Sequence, residues 1–141
     1  MIVTKRAYEP FATSDGYRVL IDRLWPRGVS KADAHLDAWE KAIAPSAALR
    51  QWYRHDVAKW PEFQRRYERE LRAPAAQAVL DGLARRARRG RVTLVFASRD
   101  TDISDVVVIE RLLRDRLKAA RRPQSASTAK SRRRASPTDH A

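Results

Sequence analysis

Apolar residues recur along this chain at two spacings, and the change from one to the other divides it into strands and helices. Residues 2–8 read as a first short strand, and residues 18–24 contain the consecutive Val19, Leu20 and Ile21, the pattern of a strand covered on both faces and so central to its sheet. The run Val92-Thr93-Leu94-Val95-Phe96-Ala97 makes residues 91–98 the clearest strand. Elsewhere the period is helical. Trp60, Phe63, Tyr67 and Leu71 form one stripe, with Pro61 suited to the first turn. Ala76, Leu80, Leu83 and Ala87 form a second over residues 75–89, which Gly90 stops, and Val106, Ile109, Leu113 and Leu117 form a third over residues 104–118. Ser30 and Ser46 are suited to cap two shorter helices, residues 31–35 and 47–54, the second turning Leu49, Trp52 and Tyr53 inward. Residues 36–43 fit a helix or a strand equally well. Glu62 with Arg66, and Glu68 with Arg72, are spaced as i,i+4 pairs on the wet side of their helix, each worth about 0.3 kcal/mol.

Strands, long helices, a strand and a helix in that order predict an α/β layered domain. The first two strands are separated by too few residues for a helical crossover, so a mostly parallel sheet with one antiparallel member is as compatible with the pattern as a wholly parallel one. After Lys118 no aromatic occurs, nor any aliphatic larger than alanine. The chain therefore divides into an ordered domain, residues 1–118, and a disordered basic tail, residues 119–141.

Charge adds the next constraint. The chain of 141 residues carries a formal net charge of +13, and both parts are basic: the tail holds Arg121, Arg122, Lys130, Arg132, Arg133 and Arg134 against Asp139 alone. Such an excess calls for an anionic partner or serves solubility. With no cysteine and only three histidines, disulfides and thiolate chemistry are excluded and structural zinc is not expected. No glycine-rich phosphate loop, zinc-binding histidine pair or glycine-flanked serine elbow occurs, so no cofactor or metal ligand is assigned. No apolar run reaches the length of a membrane span and the first residues do not resemble a leader, so a cytoplasmic protein without membrane contact is expected.

In an open α/β sheet, ligands bind beyond the carboxyl ends of the strands. Two loops qualify, residues 22–28 and 98–102. They supply Arg23, Arg27 and Arg99 as forks for phosphate or carboxylate, Asp22 and Asp100 as acid, base or magnesium ligands, Ser98 as a hydroxyl, and Trp25 as a stacking surface. The competing reading is structural: Asp22, Arg23, Arg99 and Asp100 lock the two loops as an ion-pair network, with Trp25 in the core. Asp100, Asp102 and Asp105 crowd the start of the last helix and would repel an anion there. They can complement the helix dipole or gather magnesium. His55-Asp56 reads either as an acid–base pair or as a histidine facing a helix dipole. The aromatic cluster from Trp52 to Tyr67 reads as core.

Three blocks carry a resemblance. The first runs Gly16-Tyr17-Arg18-Val19-Leu20-Ile21-Asp22-Arg23-Leu24-Trp25-Pro26-Arg27-Gly28-Val29-Ser30, and the second Leu36-Asp37-Ala38-Trp39-Glu40-Lys41-Ala42-Ile43-Ala44-Pro45-Ser46. The third runs Leu49-Arg50-Gln51-Trp52-Tyr53-Arg54-His55-Asp56, with Trp60, Phe63 and Tyr67 beyond it. In this order they resemble the YeaO-like family, a branch of domain of unknown function 488, over residues 1–118. The resemblance implies a single small Rossmann-like domain, cytoplasmic, with no agreed substrate. Relatives carry a lysine-aspartate pair and then a histidine and asparagine opening the final helix. This chain reads Ser98-Arg99-Asp100-Thr101-Asp102-Ile103-Ser104-Asp105 there, keeping a basic-acidic pair and lacking the histidine and asparagine.

Two functions follow as expectations. The first is a domain that binds a small anion bearing phosphate or carboxylate, or a degenerate enzyme with that ligand, at Asp22, Arg23, Trp25, Arg27, Ser98, Arg99 and Asp100. The second is a nucleic-acid-associated protein contacting phosphates without sequence preference through Arg85, Arg86, Arg88, Arg89 and Arg91 and the tail residues Arg132, Arg133 and Arg134. A purely structural or interaction role is a third, blander reading.

Overall fold

Val92, Leu94 and Phe96 alternate with Thr93 and Val95 along one strand and all five are buried, which requires cover on both faces of the sheet. A computed structural model describes residues 1–121 of the chain. Its sheet has four strands, β1 (Ile2–Arg6), β2 (Tyr17–Leu20), β3 (Ala38–Trp39) and β4 (Val92–Phe96), in the order β1-β4-β2-β3, every neighbouring pair parallel. The helices are α1 (Lys31–Ala34), α2 (Ala47–Tyr53), α3 (Trp60–Glu70), α4 (Pro74–Arg89) and α5 (Asp105–Arg121). The expectation of a small α/β domain holds, and no strand is antiparallel. Residues 122–141, most of the segment expected to be a disordered tail, lie outside the described residues, and α5 continues three residues past its expected end at Lys118.

Several local forecasts meet their physical causes. Ser30 and Ser46 accept hydrogen bonds from the amides of Asp33 and Leu49 and start α1 and α2. Residues 36–43, compatible with either helix or strand, become the two-residue β3 followed by a 3-10 turn at Lys41–Ile43, because Asp37 and Glu40 donate their amides to the carbonyls of Arg18 and Leu20 and extend the ladder. The second strand ends at Leu20 rather than at residue 24, although the Ile21 amide still reaches the Val95 carbonyl at 3.1 Å. Glu62 pairs with Arg66 as expected and also with Arg65, whereas Glu68 reaches across to Arg111 on α5 instead of to Arg72. Tertiary packing brings Arg111 closer than the helix's own next turn.

Strand order decides which face each connection covers. From β1 to β2 and on to β3 the chain steps one way across the sheet; from β3 to β4 it steps back. Right-handed crossovers put connections of opposite sense on opposite faces. The face formed by Ile2, Val19, Ile21, Val92, Leu94 and Phe96 joins the main core with α2, α3, α4 and α5, where Tyr53, Phe63, Tyr67, Leu80 and Ile109 pack. The other face, with Arg18, Leu20, Thr93 and Val95, is left to residues 7–16 and α1.

That second face is closed by polar contacts. Residues 7–16 cross above β4 with a single 3-10 turn at Thr13–Asp15 and no α-helix, and Arg18, only 1% exposed, holds them down. Its guanidinium donates to the Asp15 carboxylate at 2.6 Å and to the carbonyls of Ala34 and His35 at 2.9 and 3.1 Å. Lys5 adds a second cation at 3.1 Å from Asp15, and the Thr93 hydroxyl donates to the Asp15 carbonyl. Phe11 lies over the Arg18 guanidinium and stacks on His35 at 4.0 Å. Burial alone would raise the Asp15 carboxyl, but the Ala12 amide, Lys5 and Arg18 outweigh it and hold the group below its ordinary 3.8. The turn into β2 needs Gly16: its φ is +68°, and a Cβ there would lie 2.3 Å from the Arg91 carbonyl oxygen.

Two outcomes are expected. Asp15→Ala leaves Arg18 buried without its partner and should cost about 3 to 5 kcal/mol in urea unfolding; a loss under ~1 kcal/mol would show that the carbonyls suffice. A lowered carboxyl contributes stability that is complete above about pH 4 and disappears as the pH falls through the folded value. The acid limb of the parent's stability profile should therefore be steeper than that of Asp15→Asn.

Candidate functional site

The sheet order creates a switch point. The chain leaving β2 turns toward α1 on one face and the chain leaving β4 turns toward α5 on the other, so a gap opens beyond the carboxyl ends of these two neighbours. A cleft of about 420 Å³ occupies it. From the loop after β2 come Asp22, Arg23, Trp25 and Arg27, and from the segment after β4 comes Ser98. All five were expected at the site. Arg99 and Asp100 do not line the cleft and are exposed. The chain turns outward after Ser98, whose carbonyl and that of Ala97 are held by the Arg6 guanidinium at 2.9 and 3.1 Å.

The expected network of Asp22, Arg23, Arg99 and Asp100 does not form. Asp22 instead accepts the Ala97 amide at 2.8 Å, joining the ends of β2 and β4, and hydrogen-bonds to Asp105 at the start of α5. Arg23 donates to the Pro45 carbonyl at 3.1 Å. Asp100 stands 3.4 Å from His55 on the exposed rim. Of the two readings of His55-Asp56, the acid–base pair does not form, because Asp56 caps the 3-10 turn at Val57–Lys59 by accepting the Ala58 amide. Arg54 and His55 both have positive φ, 48° and 56°, and this reversal after α2 brings His55 to the cleft. Trp25 is half-buried rather than core: its indole nitrogen donates to the Val29 carbonyl at 2.6 Å and its ring meets Trp39 edge-on.

Three contributors were missed in the sequence. Arg50 on α2 lines the cleft, and so do Ser104 and Asp105. Asp105 reads in sequence as one of three exposed acids crowding a helix end; in the fold it turns inward to Asp22. Burial raises its carboxyl far above 3.8, with the Asp22 charge and hydrogen bond adding to the rise. Burial raises Asp22 too, while Asp105, the Ala97 amide and the Arg50 charge draw it back. Both carboxyls are raised and each faces the other, so the pair holds a proton more readily than free aspartates do. The repulsion of an anion is smaller than three exposed aspartates would give, and Asp105 is not free to join Asp100 and Asp102 around magnesium. Among the described residues, no three histidine, aspartate or glutamate side chains gather into a metal site.

Ser104 is the second missed feature. It is 2% exposed, it lines the cleft, and its hydroxyl has no hydrogen-bond partner among the described residues. An unmatched buried hydroxyl costs about 1 to 3 kcal/mol. Tyr53 completes the wall, donating its hydroxyl to the Ile103 carbonyl at 2.6 Å; burial and the charges of Asp100 and Asp56 push its pKa up to about 12, so it remains a donor.

A small parallel α/β domain with its site at the switch point is thus the class that fold and cleft define. The chain belongs to the YeaO-like family of DUF488 proteins: the family described as the inactive DUF488-N3 subclade matches residues 1–133, past the residue 118 limit of the resemblance in the motifs. It is similar to the uncharacterized protein YeaO of Escherichia coli (strain K12), 40% identical over 115 residues, which cover 80% of this chain and 96% of that one. The uncharacterized proteins Rv3073c of Mycobacterium tuberculosis and Mb3100c of Mycobacterium bovis are each 42% identical over 111 residues, 79% of this chain and 92% of theirs. No solved structure matches.

The proton on the acid pair has a measurable sign. Where the folded carboxyl is raised, the folded state binds more protons than the unfolded one above about pH 3.8, and stability falls as the pH climbs toward the folded value. Asp105→Asn keeps a donor toward Asp22 and removes the ionisation. Its melting temperature should gain on the parent's as the buffer is taken from about pH 4 to 8. A difference constant across that range would show that the pair holds no proton.

Proposed function

We propose that this chain is a binding domain for a small anion bearing phosphate or carboxylate, a degenerate relative of an enzyme that keeps the ligand and has lost the reaction. The observation that carries the reading is the convergence of Arg23, Arg27 and Arg50 on one cleft. Arginine forks suit phosphate and carboxylate oxygens. Trp25 and Tyr8 supply apolar wall for the body of such a molecule.

Loss of the reaction is supported from two directions. The matching subclade is described as inactive. At the opening of α5, where the family pattern has a histidine and asparagine, this chain has Ile103 and Ser104. The one imidazole at the cleft, His55, is on its rim and half exposed, with Asp100 beside it. The acid pair at the floor is engaged internally, because Asp105 and Asp22 face each other. Binding thus has its groups in place, and proton transfer to a ligand has none committed to it.

Thermal shift of the full-length protein tests this with inorganic phosphate, a nucleoside monophosphate, a sugar phosphate and a dicarboxylate as probes. A ligand present at a hundred times its dissociation constant adds about 2.7 kcal/mol, which for this size raises the melting temperature by roughly 5 to 10 °C. Arg27 is exposed, so Arg27→Ala should melt like the parent and lose the shift. If none of the four probes moves the melting temperature, or Arg27→Ala responds as fully as the parent, the cleft is not an anion site.

A further inference from the structure

The amino ends of the strands carry a second surface, 980 Å³ in volume and wider than the cleft. It is lined by Arg88 and Arg89 from the last turn of α4, Arg91 before β4, Arg114 and Lys118 from α5, and the α-amino group of Met1. The amino group donates to the carbonyls of Ala87 and Gly90, which close α4. Among the described residues, no acidic one lines the groove. Sequence reading grouped Arg85 and Arg86 with this set, but neither lines the groove, and Arg86 stacks over the Tyr17 ring at 3.9 Å. Arg114, Lys118 and the amino terminus join it only through the fold.

Ordinary electrostatics does not use up this charge. Basic residues in a last helical turn compensate the helix dipole, and the carboxyl ends of α4 and α5 both point this way. Each end is worth about half a negative charge, so the two together neutralise roughly one cation. Arg114 spends its charge on Glu110 at 2.7 Å. Arg88, Arg89, Arg91 and Lys118 are exposed and form no ion pair with any described residue. With the amino group, about four uncompensated positive charges remain around one open groove.

We infer that this groove docks the phosphodiester backbone of a nucleic acid, without reading its sequence, at the end of the domain opposite the cleft. A small anion needs donors converging on a point, as in the cleft; here the cations line an open trough, which suits a ligand whose charges repeat along its length. The guanidinium fork matches phosphate oxygens two at a time. Among the described residues no helix projects from this end to enter a groove of the duplex, so their affinity comes from charge and counterion release and carries no base preference. The covalent chain also leaves the described domain here, at Arg121, and its sequence continues with Arg122, Lys130, Arg132, Arg133 and Arg134. Their charges are tethered to the same end.

The test is a salt titration of full-length protein against a fluorescent DNA duplex of about 20 base pairs, with a scrambled duplex and poly-glutamate as comparison ligands. Micromolar binding with a log–log salt slope near −4 to −5 is expected, so that doubling the salt weakens binding about 20-fold, equally for both duplexes. The triple variant Arg88→Ala, Arg89→Ala, Arg91→Ala should fold normally, as the parent's melting temperature will show, and flatten the slope by roughly 2 to 3. A triple variant of equal charge loss on α3 and the turn after it, Arg65→Ala, Arg69→Ala, Arg72→Ala, should leave the slope unchanged. The inference is overturned if the groove variant binds like the parent, if both triples flatten the slope alike, or if no duplex binding occurs at low salt. It is also overturned if poly-glutamate binds as tightly as DNA, which would make an acidic protein the partner.

Discussion

The buried guanidinium of Arg18 is the contact on which the remaining architecture rests. A parallel sheet needs cover on both faces, and the four longer helices all lie on one. The opposite face receives only residues 7–16 and the single turn of α1, too little apolar surface to close it alone. Arg18 supplies what is missing by tying both pieces to the strand beneath, through Asp15 on one side and the Ala34 and His35 carbonyls on the other. Because residues 7–16 can then cross above β4 without an α-helix, β4 fits between β1 and β2. The reversal of direction that opens the cleft exists for that reason.

Within the cleft the controlling feature is also a contact between strand ends. Asp22 receives the Ala97 amide, so the two loops diverge from a fixed point, and Asp105 is drawn in from α5 to share a proton with it. An aspartate in the first turn of a helix ordinarily faces water and complements the dipole. Here the same residue is turned inward toward Asp22 with its carboxyl raised, and the serine before it is buried with its hydroxyl unpaired among the described residues. Arginines on the walls and an acid pair beneath them give this end of the sheet its charge pattern.

The two ends of the sheet differ in kind. At the carboxyl ends the polar groups converge and are partly buried. At the amino ends four unpaired cations are exposed around a wider trough. Parallel topology produces this polarity, since every strand starts at this side and α4 and α5 both end there.

Hydrophobic period and capping serines were enough, read from the chain alone, to place α2, α3, α4, α5 and β4 to within a few residues, because those elements are set by local propensity and by one apolar stripe each. The loops at the carboxyl ends of the strands were legible for a related reason: Trp25-Pro26 and Gly28 can only be a turn, and a turn after a buried strand faces the ligand side. Partners were not legible. Asp22 and Arg23 adjoin in sequence yet look in different directions, Asp22 to the Ala97 amide and Arg23 to the Pro45 carbonyl, and Arg99 turns away from both. Strand order decides such pairings, and strand order depends on contacts between residues such as Arg18 and Ala34, or Ile2 and Val92, that no local pattern connects. The sequence by itself therefore determined the elements and the loops that leave the carboxyl ends of the strands; only the tertiary structure decided that Asp105 faces inward, that Ser104 is buried without a partner among the described residues, and that Arg114, Lys118 and the amino terminus join the arginines of α4, because each is a consequence of which strands lie side by side.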